Sequence, residues 1–137
     1  MIPTKLLLSY PTLLLAVLLF PSCKDNSVQQ TSSTVVFPSS NVSYGKQVEP
    51  LFLQVCAFPG CHGADTFDQN GFSLDTYDHL MFGTVKVVYA RDTLNSPLVW
   101  SIEGRSGVAR MPLSLTPLNS NQINGIKKWI LENAQDN

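Results

Sequence analysis

Charge is scarce in this sequence. Only 14% of the 137 residues are Asp, Glu, Lys or Arg, and 9 basic against 10 acidic residues leave a formal net charge of -1. A chain without a basic excess lacks the phosphate-neutralising surface on which nucleic-acid binding depends, so no nucleic-acid partner is expected. No run of acidic residues is present, which excludes an acidic disordered tail. Cysteine is scarce as well. There are three, an odd number, and each needs its own account. No internal repeat is visible. The near-neutral charge predicts weak electrostatic steering and a modest salt dependence of any protein association.

Apolar residues, 44% of the chain, are concentrated at the start. Lys5 is the only charge before Cys23, and Leu13 to Phe20 is an unbroken apolar run interrupted on its N-terminal side by Pro11. The run is too short for a spanning helix and has the shape of an export signal, although an ordinary signal peptide or a single anchor helix gives a similar pattern. It ends in Phe20-Pro21-Ser22-Cys23. A small residue directly before a cysteine, after an apolar stretch, resembles the lipobox of bacterial lipoproteins. The resemblance implies a signal peptide over 1–22, lipidation of Cys23, and a protein anchored to a bacterial membrane at its periplasmic or surface face. Several acyl chains on one residue anchor firmly where a single chain binds only marginally. Lys24 to Asn41 follows, with seven Ser or Thr among its residues and no period beyond Val35-Val36-Phe37. Residues 23–41 therefore read as a flexible tether and 42–137 as the folded domain.

The domain reads as mainly α. Val48, Leu51, Phe52 and Val55 form an i, i+3, i+4, i+7 stripe, with Ser43 as N-cap and Pro50 predicting a late start or a kink. A second, short helix is expected over Asp75 to Phe82, stopped by Gly83. Thr84 to Tyr89 is β-branched and reads as a short strand or an ordered loop. Ser96-Pro97 predicts an N-cap and first-turn proline for a third helix carrying Leu98, Trp100 and Ile102. Gly104 to Pro117 reads as loop. Asn119 with Gln122 predicts a capping box for a last helix whose seam is Ile123, Ile126 and Ile130, flanked by Trp129. Trp100 and Trp129 are both expected to pack in the core.

The chemistry lies in Cys56-Ala57-Phe58-Pro59-Gly60-Cys61-His62. Two cysteines followed at once by histidine form the pattern of covalent haem attachment, usually C-x-x-C-H. Each thiol must reach a vinyl group on one edge of the porphyrin, and the histidine then turns its imidazole to the iron. Four residues separate the cysteines here instead of two, and Pro59-Gly60 is expected to form a turn that takes up the extra length. Gly63 is expected to let the chain turn close to the ring. Two other readings of the same residues stay open. Exported cysteines at this spacing also suit a small disulfide loop. A zinc site from Cys56, Cys61, His62 and His79 is disfavoured, because adjacent residues do not easily face one ion.

Met111 stands apart from Met81. Met81 falls on the apolar face of the second helix, whereas Met111 sits in an irregular Gly/Pro loop where a large apolar side chain has less reason to be, with plugging of that loop as the alternative role. His79 lies off that apolar face and reads as a surface histidine. Arg110 also reads as surface, with pairing to a haem propionate as the alternative.

The strings VSYGKQVEPLFLQVCAFPGCHG, GFSLDTYDHLMFG, SPLVW, RMP and PLNSNQINGIKKWI occur in that order. The ordered set resembles planctomycete-type cytochrome c domains, a branch of the class I cytochrome c fold, over about residues 42 to 134. The resemblance implies a domain of about four helices around one covalently bound haem c. It implies thioether links at Cys56 and Cys61, proximal iron ligation by His62 and distal ligation by Met111. It further implies an electron carrier rather than an enzyme, working by outer-sphere transfer with redox partner proteins. A haem-free, disulfide-stapled binding or scaffold lipoprotein is the competing expectation. A haem peroxidase is disfavoured by the absence of a second haem motif.

Overall fold

The computed structural model describes residues 33–137. The signal segment 1–22, the lipidation site Cys23 and residues 24–32 lie outside the described residues. The described chain is mainly helical and contains no strand; its one β-bridge joins Tyr89 to Asp92. Thr84 to Tyr89 is therefore loop, pinned by the buried Val87 and Val88.

The first element is a π-helical segment, Tyr44–Val48, that runs straight into α1, Glu49–Val55. The Ser43 hydroxyl accepts from the Lys46 N–H, and the Gln47 side chain accepts from the Ser43 N–H, so both ends of this cap are satisfied. Pro50 explains the π register. It has no N–H to donate, so the helix widens before it without losing a bond at that position. The predicted stripe of Val48, Leu51, Phe52 and Val55 is buried along its whole length. Each such Leu or Phe contributes about 1.5–3 kcal/mol of burial.

A 3-10 turn at Ala64–Thr66 leads into α2, Phe67–Asn70, neither of which the periodicity announced. Helix α3 spans Tyr77–Met81, shorter than the expected Asp75 to Phe82 because Thr76 takes the capping position and accepts from the His79 N–H. Gly83 matters for space: a Cβ there would collide with the Gly71 carbonyl. Helix α4, Pro97–Glu103, begins as predicted, but Ser96 caps nothing with its side chain. It is fully buried and instead accepts from the Tyr89 N–H and donates to the Asp92 carbonyl, stitching the preceding loop. Helix α5, Ser120–Leu131, carries the predicted capping box in full: Asn119 accepts from the Gln122 N–H and Gln122 accepts from the Asn119 N–H. Among the described residues five α-helices, with one π and one 3-10 segment, thus stand where about four helices were expected.

The core forms where α1, α4 and α5 meet, around Leu51, Phe52, Val99, Ile102, Ile126, Trp129 and Ile130. Tyr44 packs beside it, 5.6 Å from the Trp129 ring and 5.1 Å edge-on from Tyr77. Trp129 is buried as expected, whereas Trp100 is only half-buried.

The domain boundary differs from the one expected at residue 42. Phe37 is 4% exposed and lies over Gly125, where any Cβ would overlap its ring. Asn121 grips the Phe37 backbone with both ends of its amide, accepting at 2.8 Å and donating at 3.0 Å. Glu132 accepts from the Asn41 and Val42 N–H groups at 2.9 Å each. Residues 33–41 therefore form a strap docked on α5, and their reading as flexible tether is corrected. Their polar composition hid the docking because one aromatic and backbone bonds to distant side chains hold them.

Candidate functional site

The Cys56–His62 segment folds as a compact turn at the end of α1. The Cys61 N–H donates to the Phe58 carbonyl at 3.0 Å, and Gly60, at the third position of that turn, has φ 75°. Proline at the second position and a left-handed glycine at the third form a type II turn, so the extra residues loop out as the sequence predicted. Two further bonds close the loop. The His62 N–H donates to the Cys56 carbonyl at 3.3 Å, and the Gly63 N–H to the Phe58 carbonyl at 3.1 Å. Gly63 permits this closure, because a Cβ there would press on the Ala57 and Phe58 carbonyls at 3.2 and 3.1 Å. Its glycine serves the loop's own backbone.

Residues outside the motif buttress it, and sequence reasoning missed them. The Asp65 carboxylate accepts from the Gly60 N–H at 2.8 Å. The Thr66 hydroxyl reaches the Cys61 and Gly63 carbonyls at 3.0 Å each, and the Asn70 amide donates to the Cys61 carbonyl at 3.2 Å. The Leu74 N–H donates to the His62 carbonyl at 2.8 Å, and the Phe72 ring stacks on the His62 imidazole at 5.3 Å. The signal available in the sequence was the short polar run Asp65 to Asn70 directly after the motif, which reads as surface until the turn it supports is known.

Cys56 and Cys61 are both free thiols. Cys56 is half-buried, and burial raises its thiol to about 12, with the Cys61 side chain adding to the effect. Cys61 is exposed. Burial lowers the His62 imidazole below its ordinary range, which keeps it neutral near pH 7, the form in which histidine binds a metal. Its Nδ1 is buried without a hydrogen-bond partner. Two uncommitted thiols on one turn and a neutral imidazole are the groups that a covalently attached haem would use, with the orphaned Nδ1 of His62 itself enclosed by protein.

The other candidates are placed elsewhere. Met111 is half-buried in the loop after α4, where its N–H donates to the Ser101 carbonyl at 2.9 Å. Met81 is buried in the core. His79 shares a hydrogen with Asp75 across 2.9 Å, lies 4.5 Å from the Phe67 ring and is partly exposed. Burial raises the Asp75 carboxyl, but hydrogen bonds from Ser73 and His79 outweigh it and leave it below its usual range. His79 is thus committed to Asp75. Among the described residues no three of His, Cys, Asp and Glu gather as a metal site, so the four-ligand zinc arrangement is not formed. Arg110 is exposed beside Gly104. Two open grooves, about 380 and 190 Å³, run along the strap and the C-terminal tail and include none of Cys56, Cys61, His62 or Met111. Leu94 and Leu113, each 73% exposed, present apolar surface on the loops either side of α4.

No protein-family model, no curated protein and no solved structure matches the chain. Among the described residues no helix is long and apolar enough to cross a membrane.

Proposed function

We propose that this chain is an exported, lipid-anchored monohaem c-type cytochrome that passes electrons to and from partner proteins by outer-sphere transfer. In this reading Cys56 and Cys61 hold the haem by thioether bonds, His62 and Met111 supply the axial ligands, and Cys23 carries the lipid.

The observation that carries the reading is the closed Cys56–His62 turn. Pro59 and Gly60 absorb the additional residues of the motif, so the wide spacing ends in a defined loop rather than a slack one. Both thiols lie on this one turn, where attachment to one edge of a porphyrin would need them. Phe72 orients the imidazole of His62, and burial keeps it unprotonated. A haem bound here supplies a one-electron ferric/ferrous couple. The Met111 thioether is a soft neutral donor that favours the ferrous state and so raises the potential. A haem held by both His62 and Met111 would suit electron transfer rather than substrate binding.

The test is the absorption spectrum of the full chain, produced together with a c-type maturation system and unfolded in alkaline pyridine. A haemochrome that survives acid-acetone extraction is the expected result. No haem, with Cys56 and Cys61 oxidised to each other, overturns the reading in favour of a disulfide-stapled binding module.

A further inference from the structure

We infer that Arg105, braced by Glu103, is a positioning residue for Met111: it anchors the root of the loop that presents the methionine. The inference rests on the ligation proposed above.

The loop leaves α4 and returns to it. Gly104 ends the helix with φ 66°, in space bounded by the Arg110 side chain, and the Arg105 N–H caps the Trp100 carbonyl at 3.0 Å. Six residues after Arg105 the chain is back, with the Met111 N–H on the Ser101 carbonyl at 2.9 Å. Between these points Gly107 has φ 81°, and Ser106, Gly107, Ala109 and Arg110 are exposed. Backbone bonds alone leave such a loop much conformational freedom.

Arg105 removes that freedom from one side. Its Nε donates to the Glu103 carboxylate at 2.9 Å and its Nη1 to the Leu94 carbonyl at 3.1 Å, while the guanidinium lies 6.0 Å from the Trp100 ring centroid. Trp100 donates to the same Leu94 carbonyl at 2.6 Å. The other oxygen of Glu103 takes the Lys127 ammonium of α5 at 2.7 Å. The loop before α4, the Met111 loop and α5 thus meet at one guanidinium–carboxylate pair. Only a planar fork bonds a carboxylate and a carbonyl while covering an indole, which a lysine ammonium does not reproduce.

The pair is partly exposed, with side-chain exposures of 34% for Arg105 and 24% for Glu103, so it adds little to global stability. Its effect is local. A thioether is a weak ligand, and every conformation open to the loop competes with the one in which Met111 binds.

The experiment compares the intact haem-loaded protein with Arg105→Gln, Arg105→Lys and Glu103→Gln. Added imidazole is titrated against Met111 for the iron, and amide exchange is followed over residues 106–113. Arg105→Gln is expected to raise the apparent affinity for imidazole about tenfold, the equivalent of one lost charge-assisted hydrogen bond, and to speed exchange in the loop by a similar factor with the melting temperature nearly unchanged. Arg105→Lys restores the effect in part, and Glu103→Gln, which breaks the same link from the other side, reproduces it should Arg105→Gln misfold. Imidazole affinity and loop exchange equal to those of the parent in both charge-removing variants overturn the inference. A chain that carries no haem overturns the functional reading instead, and the exchange measurement alone then decides whether Arg105 holds the loop.

Discussion

The His62 N–H donates to the Cys56 carbonyl at 3.3 Å, so the first and last residues of the candidate attachment motif are joined through their backbones. The ring formed this way contains Gly60 at φ 75° with no atom within 4 Å of where its Cβ would stand. Conformation alone therefore requires glycine there. Gly60→Val is expected to strain the turn by about 1–2 kcal/mol and to lower the haem-to-protein ratio of matured chain. Parallel haemochrome and protein assays on the two chains measure it; an unchanged ratio contradicts a role for the turn in attachment.

Removing Met111 separates ligation from attachment. Met111→Ala is expected to keep covalent haem while the ferric iron loses the second of its two protein ligands. The reduction potential should fall, within the roughly 0.8 V that axial ligands span. Redox titration beside a ferric spectrum checks both points. A spectrum identical to the parent's would assign the sixth position to another residue.

Phe37 and Gly125 form a single packing unit. Gly125→Ala places a methyl inside the Phe37 ring position, so the strap must lift from α5. Phe37→Ala removes the same contact from the other side and is expected to cost about 3 kcal/mol, at the low end for a buried phenylalanine. Both variants should show new protease cleavage within residues 33–41 and a lower melting temperature. Cleavage unchanged in both would mean the strap is held by its polar bonds alone.

Acid should loosen two carboxylate anchors. The Lys127 hydrogen bond, followed by that of Arg105, holds Glu103 below the ordinary value of 4.5 against a smaller opposing effect of burial. For Glu132 burial raises the carboxyl, but the Val42 and Asn41 N–H groups and Lys128 outweigh it, again to a value below 4.5. A carboxylate depressed in the folded state contributes stability above its unfolded pKa and loses it as pH falls through the folded one. Stability is therefore expected to hold above pH 4.5 and to decline below it. Thermal melts between about pH 6 and 3 follow the decline. Glu132→Gln should flatten that profile and lower stability near neutrality by about 1–2 kcal/mol, since two backbone donors lose a charged acceptor.

What the sequence determined by itself was local. The Val48, Leu51, Phe52, Val55 stripe, the Asn119–Gln122 capping box and the Pro59-Gly60 turn depend on neighbours within one or two turns of chain, and the structure contains all three. Helical periodicity and caps pointed to the mainly helical class, and the cysteine–histidine motif with the ordered resemblance pointed to the candidate residues Cys56, Cys61, His62 and Met111. Tertiary structure alone decided the rest. Ser96 looked like a cap and became a buried stitch, because the loop from Tyr89 to Asp92 folds back over it. Phe37 looked like part of a tether and became core, because a glycine 88 positions away leaves room for its ring. Asp65 and Arg105 carried no sequence signal, yet Asp65 accepts from the Gly60 N–H and Arg105 donates to the Leu94 carbonyl. The Phe37 contact needs a partner more than eighty residues away that only the packing of the strap on α5 brings close, whereas Ser96 and Asp65 meet partners within seven residues through irregular turns of the backbone, and no pattern of short period encodes either kind of meeting.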